Sequence, residues 1–251
     1  MVQLKDLLKY SNNVLEIDRF QDYCPNGLQV EGKTEIKKIV SGVTASQALI
    51  DEAIKENADA LLVHHGYFWK GEDATITGLK YKRVSSLIES GMSLLAYHLP
   101  IDAHPLYGNN AKLAEILELD IAGTFPSGNS AVGMYGTLKT PMSAADFSLK
   151  VSAALDREAL HIGEESEQIH SIAWCSGAAQ GYIVDAAELG VDAYLTGEIS
   201  EQTVHLAREY GLQFYSAGHH ATERYGVQAF AEHLASHFGL EHQFIDIPNP
   251  V

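Results

Sequence analysis

Four places in the 251-residue sequence deliver imidazole or carboxylate groups where an apolar stretch ends. "LLVHHG" ends in His64 and His65, "AYHLPIDAH" carries His98, Asp102 and His104, "AYLTGE" ends in Glu198, and "SAGHHATERYG" carries His219, His220 and Glu223. Nitrogen and oxygen donors without thiolate suit zinc, iron, manganese, nickel or cobalt. If the chain turns helical at Ala221, Glu223 lies about one turn past His219, and a carboxylate can bridge two cations where an imidazole cannot. Adjacent residues of a regular strand point to opposite faces. His64 and His65 therefore meet at one point only if Gly66 breaks the strand, or else each serves a different ion. His64, His65, Asp102, His219 and a bridging Glu223 together make a candidate site for two ions roughly 3.5–4 Å apart.

The remaining polar groups divide by role. His98 reads either as a ligand or as a partner that orients a carboxylate. Glu198 is the candidate general base or substrate contact, with a helix-capping carboxylate as the plainer reading. His104 and His220 read as residues that support the ligands or face substrate. His161, His170, His205, His233, His237 and His242 lie off these edges and read as surface residues. "CPNGLQVEG" offers an Asn26-Gly27 turn within a plain loop. Neither a phosphate loop nor a G-x-S-x-G elbow is present, and Cys175 reads as a packed strand residue.

The elements that must position these groups alternate strand and helix. "KKIVSGVTA", a helix from Ser46 to Asn57, "ADALLVHHG", a helix from Lys80 to Ser90 and "MSLLAYHL" predict a parallel sheet with crossover helices. "IHSIAWCSG", Ala179 to Leu189, "VDAYLTGE", Ser200 to Tyr210 and "LQFYSAGHH" repeat that order. At an offset of 133, nine of the thirty pairs from Ile36 to His65 are identical, including Gln47 with Gln180 and Asp59 with Asp192. That exceeds what shared strand-helix-strand composition gives and predicts an internal duplication. Between the halves, Ile121 to Gln168 opens with "GTFPSGNS" and reads as a smaller β-α-β piece. The expected domains are 1–123 and 124–251, both α/β, with C-terminal segments packing back on the first. In open parallel sheets ligands sit at the carboxyl ends of strands.

Composition narrows the function further. Hydrophobic residues make up 46% and charged residues 20%, as in an ordinary globular protein. A formal charge of −16 repels phosphate backbones, and the Lys33, Lys37 and Lys38 cluster is interleaved with Glu31 and Glu35, so nucleic acid is a disfavoured partner. Two cysteines exclude a thiolate zinc knuckle and disfavour a disulfide framework. The N-terminal "MVQLKDLLKYSNNVLEI" reads as an amphipathic helix without the core of a signal peptide, and no run suits a membrane span, so the cytoplasm is the expected location.

With "PNGLQVEG", "LLVHHGYFW", "AYHLPIDAHPLYGNN", "AYLTGE", "SAGHHATERYG" and "FIDIPNP", the chain resembles the NIF-three-like family over nearly its whole length. Members of that family are labelled GTP cyclohydrolase 1 type 2 homologues, and the resemblance is to the short bacterial form. It implies two interlinked α/β domains with a dinuclear metal centre in the cleft between them, and a toroidal homohexamer built as a trimer of dimers. The family's ligands fall on His64, His65, Asp102, His219 and Glu223. The leading expectation is a hydrolase of a small molecule, a nucleotide or cyclic amide, with two divalent ions per subunit and Glu198 or His98 moving protons. With GTP, water would add at purine C8 and open the imidazole ring. Behind it stand a non-catalytic metal-binding ring with a regulatory or nucleic-acid-related role, and a metal-free scaffold.

Overall fold

Buried apolar runs too short for helices form the strands, and 3.6-residue periods form the helices laid against them. The computed structural model describes residues 1–128 and 131–251, so the end of "GTFPSGNS" lies outside the described residues. The chain divides into two units: Met1–Ile101 with Gly226–Pro248, and Asp102–Tyr225 with Asn249–Val251. The division thus falls at Ile101/Asp102, not at the expected 123/124. The reason is packing: Leu113, Ala114 and Leu117 belong to the apolar core of the second unit.

The first unit contains β1 (Val2–Gln3), α1 (Leu4–Val14), β2 (Gly27–Val30), β3 (Glu35–Ile36), β4 (Lys38–Thr44), α2 (Gln47–Lys55), β5 (Ala60–His65), α3 (Gly78–Ser90) and β6 (Ser93–Ala96). The chain passes to the second unit within α4 (Leu99–Ala103). There follow α5 (Asn109–Leu117), β7 (Leu119–Phe125), β8 (Gly133–Ser143), α6 (Ala144–Leu155), β9 (Leu160–Ile162), β10 (Gln168–Cys175), α7 (Ile183–Glu188), β11 (Ala193–Thr196), α8 (Glu201–Tyr210) and β12 (Gln213–Ser216). It returns within α9 (His219–Phe238) and adds β13 (Glu241–Phe244) to the first unit.

The first sheet has the order β13-β4-β5-β6-β2, parallel from β13 to β6, with β2 antiparallel at the edge. The "GLQV" run read as loop is therefore a strand; its four residues and Asn-Gly start hide a strand signal. The second sheet has the order β7-β8-β10-β11-β12-β9. Only β10, β11 and β12 are parallel. The segment expected as a separate β-α-β piece instead supplies both flanks of this sheet, β7 and β8 on one side and β9 on the other, all antiparallel.

The two parallel cores repeat each other in detail. Ile39 pairs with Ala60 and Val40 with Leu61 in the first; Ile172 pairs with Ala193 and Ala173 with Tyr194 in the second. Helices α3 and α8 both stop on a left-handed glycine, Gly91 at φ 69° and Gly211 at φ 65°. Met92 N–H then bonds Leu87 O, and Leu212 N–H bonds Ala207 O, so each chain turns directly into its next strand. At the opposite strand ends, Asp59 Oδ2 accepts the Lys37 and Lys38 amides (2.9 and 3.1 Å), and Asp192 Oδ2 accepts those of His170 and Ser171 (both 2.9 Å).

Burial alone would raise the Asp59 carboxyl, but the Lys33 ammonium and the two amides hold it below its ordinary value. A depressed carboxylate contributes stability above its unfolded pKa of about 3.9 and loses it as pH falls through the lower folded value. Asp59→Ala is expected to cost about 1–3 kcal/mol in urea unfolding at neutral pH. The gap from wild type should narrow as the pH is taken below the ordinary carboxylate range.

Candidate metal centre

In the first unit β5 runs buried until its last residue, and the chain breaks from the sheet at Gly66. A Cβ at that glycine would lie 2.2 Å from Gln29 Oε1, which accepts the Tyr67 amide, so the turn after the strand is tightly packed. Strict alternation would separate His64 from His65. Instead their ring centroids lie 4.5 Å apart, because β5 ends there and both rings can tilt. His98 joins them from the end of β6, 5.1 Å from His64 and 5.7 Å from His65. One ring nitrogen from each of the three falls within 4.8 Å of the others.

Each ring is held from its Nδ1 side. Buried His64 meets the Tyr97 carbonyl at 3.1 Å, and a carbonyl only accepts, so Nδ1 carries the proton and Nε2 the lone pair. His98 Nδ1 lies 2.7 Å from Asp22 Oδ1, and His65 Nδ1 lies 3.3 Å from Thr44 Oγ1. Asp22 is part of a closed circuit: its Oδ2 accepts Asn26 Nδ2 and the Leu99 amide, both at 2.9 Å, while Asn26 Oδ1 accepts the His98 amide at 2.7 Å. Burial would raise the Asp22 carboxyl, but His98, Asn26 and the Tyr23 amide bring it below its usual range. Sequence reasoning missed Asp22. Its one visible signal is the four-residue spacing to Asn26.

In the second unit the donors surround the start of α9. The helix opens at His219, before the expected Ala221, so His219 and Glu223 stand at i and i+4, with Nε2 3.2 Å from Glu223 Oε2. His219 Nδ1 lies 2.7 Å from Glu198 Oε1. Glu198, expected as a general base or substrate contact, thus orients an imidazole. It is not the cap of α8, which is closed by Ser200 and Thr203. Asp102 is buried and its Oδ1 accepts Asn109 Nδ2 at 2.9 Å and Ser176 Oγ at 2.8 Å. Asn110 Oδ1 accepts the Ser176 amide, fixing that donor in turn. A carboxylate oxygen of Asp102 and one of Glu223 lie within 4.8 Å of each other.

These donors fit a cation. Two buried carboxylates so close repel unless a positive charge is shared with them. Without metal that charge is a proton on His219. Burial disfavours the charged ring, yet Glu223 and Glu198 override it and push the His219 pKa up to about 9. Gly177, at φ +67°, gives the site its room: a Cβ there would lie 2.2 Å from Glu223 Oε1 and 3.3 Å from His219 Nε2.

The other histidines sort by contact. His104 Nδ1 accepts the Leu106 and Tyr107 amides (3.2 and 3.0 Å) and its ring stacks on Tyr107. Its proton is therefore on Nε2, the reverse of His64. His220 is buried, and its amide donates to Val251 O at 2.9 Å. The surface reading is corrected at three positions. His242 Nε2 meets Ser41 Oγ at 2.8 Å, His161 stacks on buried Tyr215, and His233 bonds the Tyr10 hydroxyl at 2.8 Å; each ring packs where a helix or strand edge closes. Cys175 is buried in β10, as expected.

Residues 2–250 match the family model Duf34/NIF3 (NGG1p interacting factor 3). The chain is 54% identical over 250 residues to a GTP cyclohydrolase 1 type 2 homolog from Pseudomonas aeruginosa, covering 99% of each sequence. Among solved structures it is similar to the structural-genomics protein ybgI, of unknown function, with a TM-score of 0.95 and 47% identity over 100% of both chains. It is also similar to TTHA1606 from Thermus thermophilus, with a TM-score of 0.89 and 32% identity over 100% of both chains.

Three outcomes follow from this geometry. A cation that takes His219 Nε2 must displace its proton, so zinc binding to metal-free protein releases protons and tightens as pH rises towards about 9. Calorimetry in buffers of different ionisation enthalpy reads that release. In the metal-free protein, the His219 ion pairs support folding below an unfolded pKa of about 6.5, and this support is lost as pH rises through about 9. Gly177→Ala should weaken zinc binding about tenfold or more, measured by competitive titration against a chelating dye.

Proposed function

The chain belongs to the Duf34/NIF3 family, and on that premise we propose that it is a dinuclear metal-dependent hydrolase acting on a nucleotide or cyclic amide. In the first unit His64 and His65 would hold divalent ions, and in the second Asp102, His219 and Glu223 would do so. The observation that carries the reading lies in the second unit: buried Asp102 and Glu223, with oxygens within 4.8 Å, share their surroundings with an imidazole whose Nε2 lies 3.2 Å from Glu223. When bound, such a pair supplies Lewis acidity and a water made nucleophilic at neutral pH.

The chain's own residues do the rest. Glu198 keeps a proton on His219 Nδ1, and the Tyr97 carbonyl keeps one on His64 Nδ1, so each presents Nε2 as the donor atom. Asn109 and Ser176 fix one oxygen of Asp102 and turn the carboxylate. Asp22 holds the proton of His98 at Nδ1, leaving Nε2 to take up and return a proton at the reacting bond. The shared strand registers, glycine stops and aspartate clamps support an internal duplication in which one unit came to provide mainly imidazoles and the other mainly carboxylates. Family membership also supports a homohexamer.

Metal content per subunit, wild type beside Glu223→Ala, is the first test. About two ions in the wild type and at most one in the variant is the expected result. Near zero after reconstitution with zinc, iron and manganese would overturn the reading. Two ions without turnover of GTP, other nucleotides or cyclic amides would leave a metal-binding scaffold instead.

A further inference from the structure

Two aromatic side chains border the imidazoles of the first unit without belonging to its apolar core. Trp69 meets His98 at a steep angle, centroids 5.0 Å apart and planes at 85°, and lies 5.9 Å from His65. Tyr23 approaches His98 from another segment, at 6.5 Å and 65°. It is 62% exposed, although Asp22 and Cys24 beside it turn inward.

Both rings are fixed from behind. Trp69 Nε1–H donates to Gly66 O at 3.2 Å and its amide to Glu72 Oε2 at 3.0 Å. The Tyr23 amide donates to Asp22 Oδ1, and its carbonyl accepts the Lys70 amide, both at 2.6 Å, which ties the two segments together. Just before Trp69, Phe68 takes a left-handed conformation at φ 64°, costly for a bulky residue. The Lys80–Glu72 ion pair at 2.9 Å and Lys80 over the Phe68 ring at 5.8 Å hold that turn in place. Backbone strain and these contacts together set a tryptophan beside the histidines, outside the unit's apolar core.

We propose that Trp69 and Tyr23 bind the planar ring of the substrate, an aromatic heterocycle such as a nucleobase, by stacking, and that they select it over open-chain amides and sugars. The proposal deepens the hydrolase reading by naming the substrate class, and depends on it only for the fate of the ring after binding. Aromatic faces held in advance lose little freedom on contact and accept any base, and removing one such face weakens binding by about five- to a hundredfold.

The chain has two tryptophans, and Trp174 is fully buried with its Nε1–H on Asn110 O, so a ligand-dependent emission change that is lost in Trp69→Phe reports Trp69. The metal-loaded full chain is titrated with guanosine, GTP and ribose 5-phosphate. Guanosine and GTP should change the emission and ribose 5-phosphate should not. By calorimetry, Trp69→Ala and Tyr23→Ala should each weaken guanosine binding about tenfold with unchanged metal content, and Trp69→Phe should retain most of it. Unaltered guanosine affinity in both alanine variants, or an equal response to ribose 5-phosphate, overturns the proposal. Stacking that persists while no nucleotide is turned over removes the hydrolase reading and leaves this one standing. Turnover with unchanged KM in both alanine variants removes this one alone.

Discussion

Everything at the candidate centre depends on imidazoles being gripped through Nδ1. A histidine ring left to itself samples two tautomers and several orientations, and a metal or substrate would have to select among them. Here the Tyr97 carbonyl and the carboxylates of Asp22 and Glu198 make the choice during folding, for His64, His98 and His219 respectively. The gripping oxygens are themselves fixed: Tyr97 N–H bonds Val63 O, and Asp22 is held by Asn26 and the Leu99 amide. Orientation passes from the sheet to a backbone or carboxylate oxygen, and then to the ring.

That passage works because the strands end where they do. Parallel neighbours in one register place Ala96, the last residue of β6, beside Val63 of β5, which runs two residues further to His65, and place the last residues of β11 and β12 side by side. Asp59 and Asp192 fasten the opposite ends of the same sheets. With its start clamped and its middle buried, a strand has little latitude in where its final residue falls, so groups such as His65 and Glu198 are positioned by remote contacts as much as by local ones. The same framework carries imidazoles in one unit and mostly carboxylates in the other.

The strand-end placement of these polar groups was legible because apolar runs and their endings can be read directly: His64 and His65 close β5, and His98 and Glu198 each follow a short buried strand. The i, i+4 relation of His219 and Glu223 followed once a helix was placed there. Asp22 was illegible because an acid in an irregular segment resembles any solvated loop residue until the chain brings it against His98, which lies far along the sequence. The strand character of β2 was masked by its shortness and its Asn-Gly start. The unit boundary was missed for a related reason: punctuation near Thr124 marks a turn, whereas membership of a unit is decided by where Leu113 and Leu117 are buried. His242 shows the limit of reading histidines by sequence position, since its ring closes on Ser41 from the opposite end of the chain.

Cys24 sits beside Asp22 and His98. Its burial and the nearby Asp22 charge push the thiol pKa up to about 12. Cys175 is held still more firmly in its protonated form, by burial first and then by Asp102 and Glu223. Neither sulfur is therefore a thiolate at neutral pH in the metal-free protein, although each lies next to groups that could hold a cation. The carboxylates that would attract an ion also silence the sulfurs that would capture a soft one. In the metal-free protein, copper(I), cadmium and mercury would thus meet two protonated, buried sulfurs in place of thiolates.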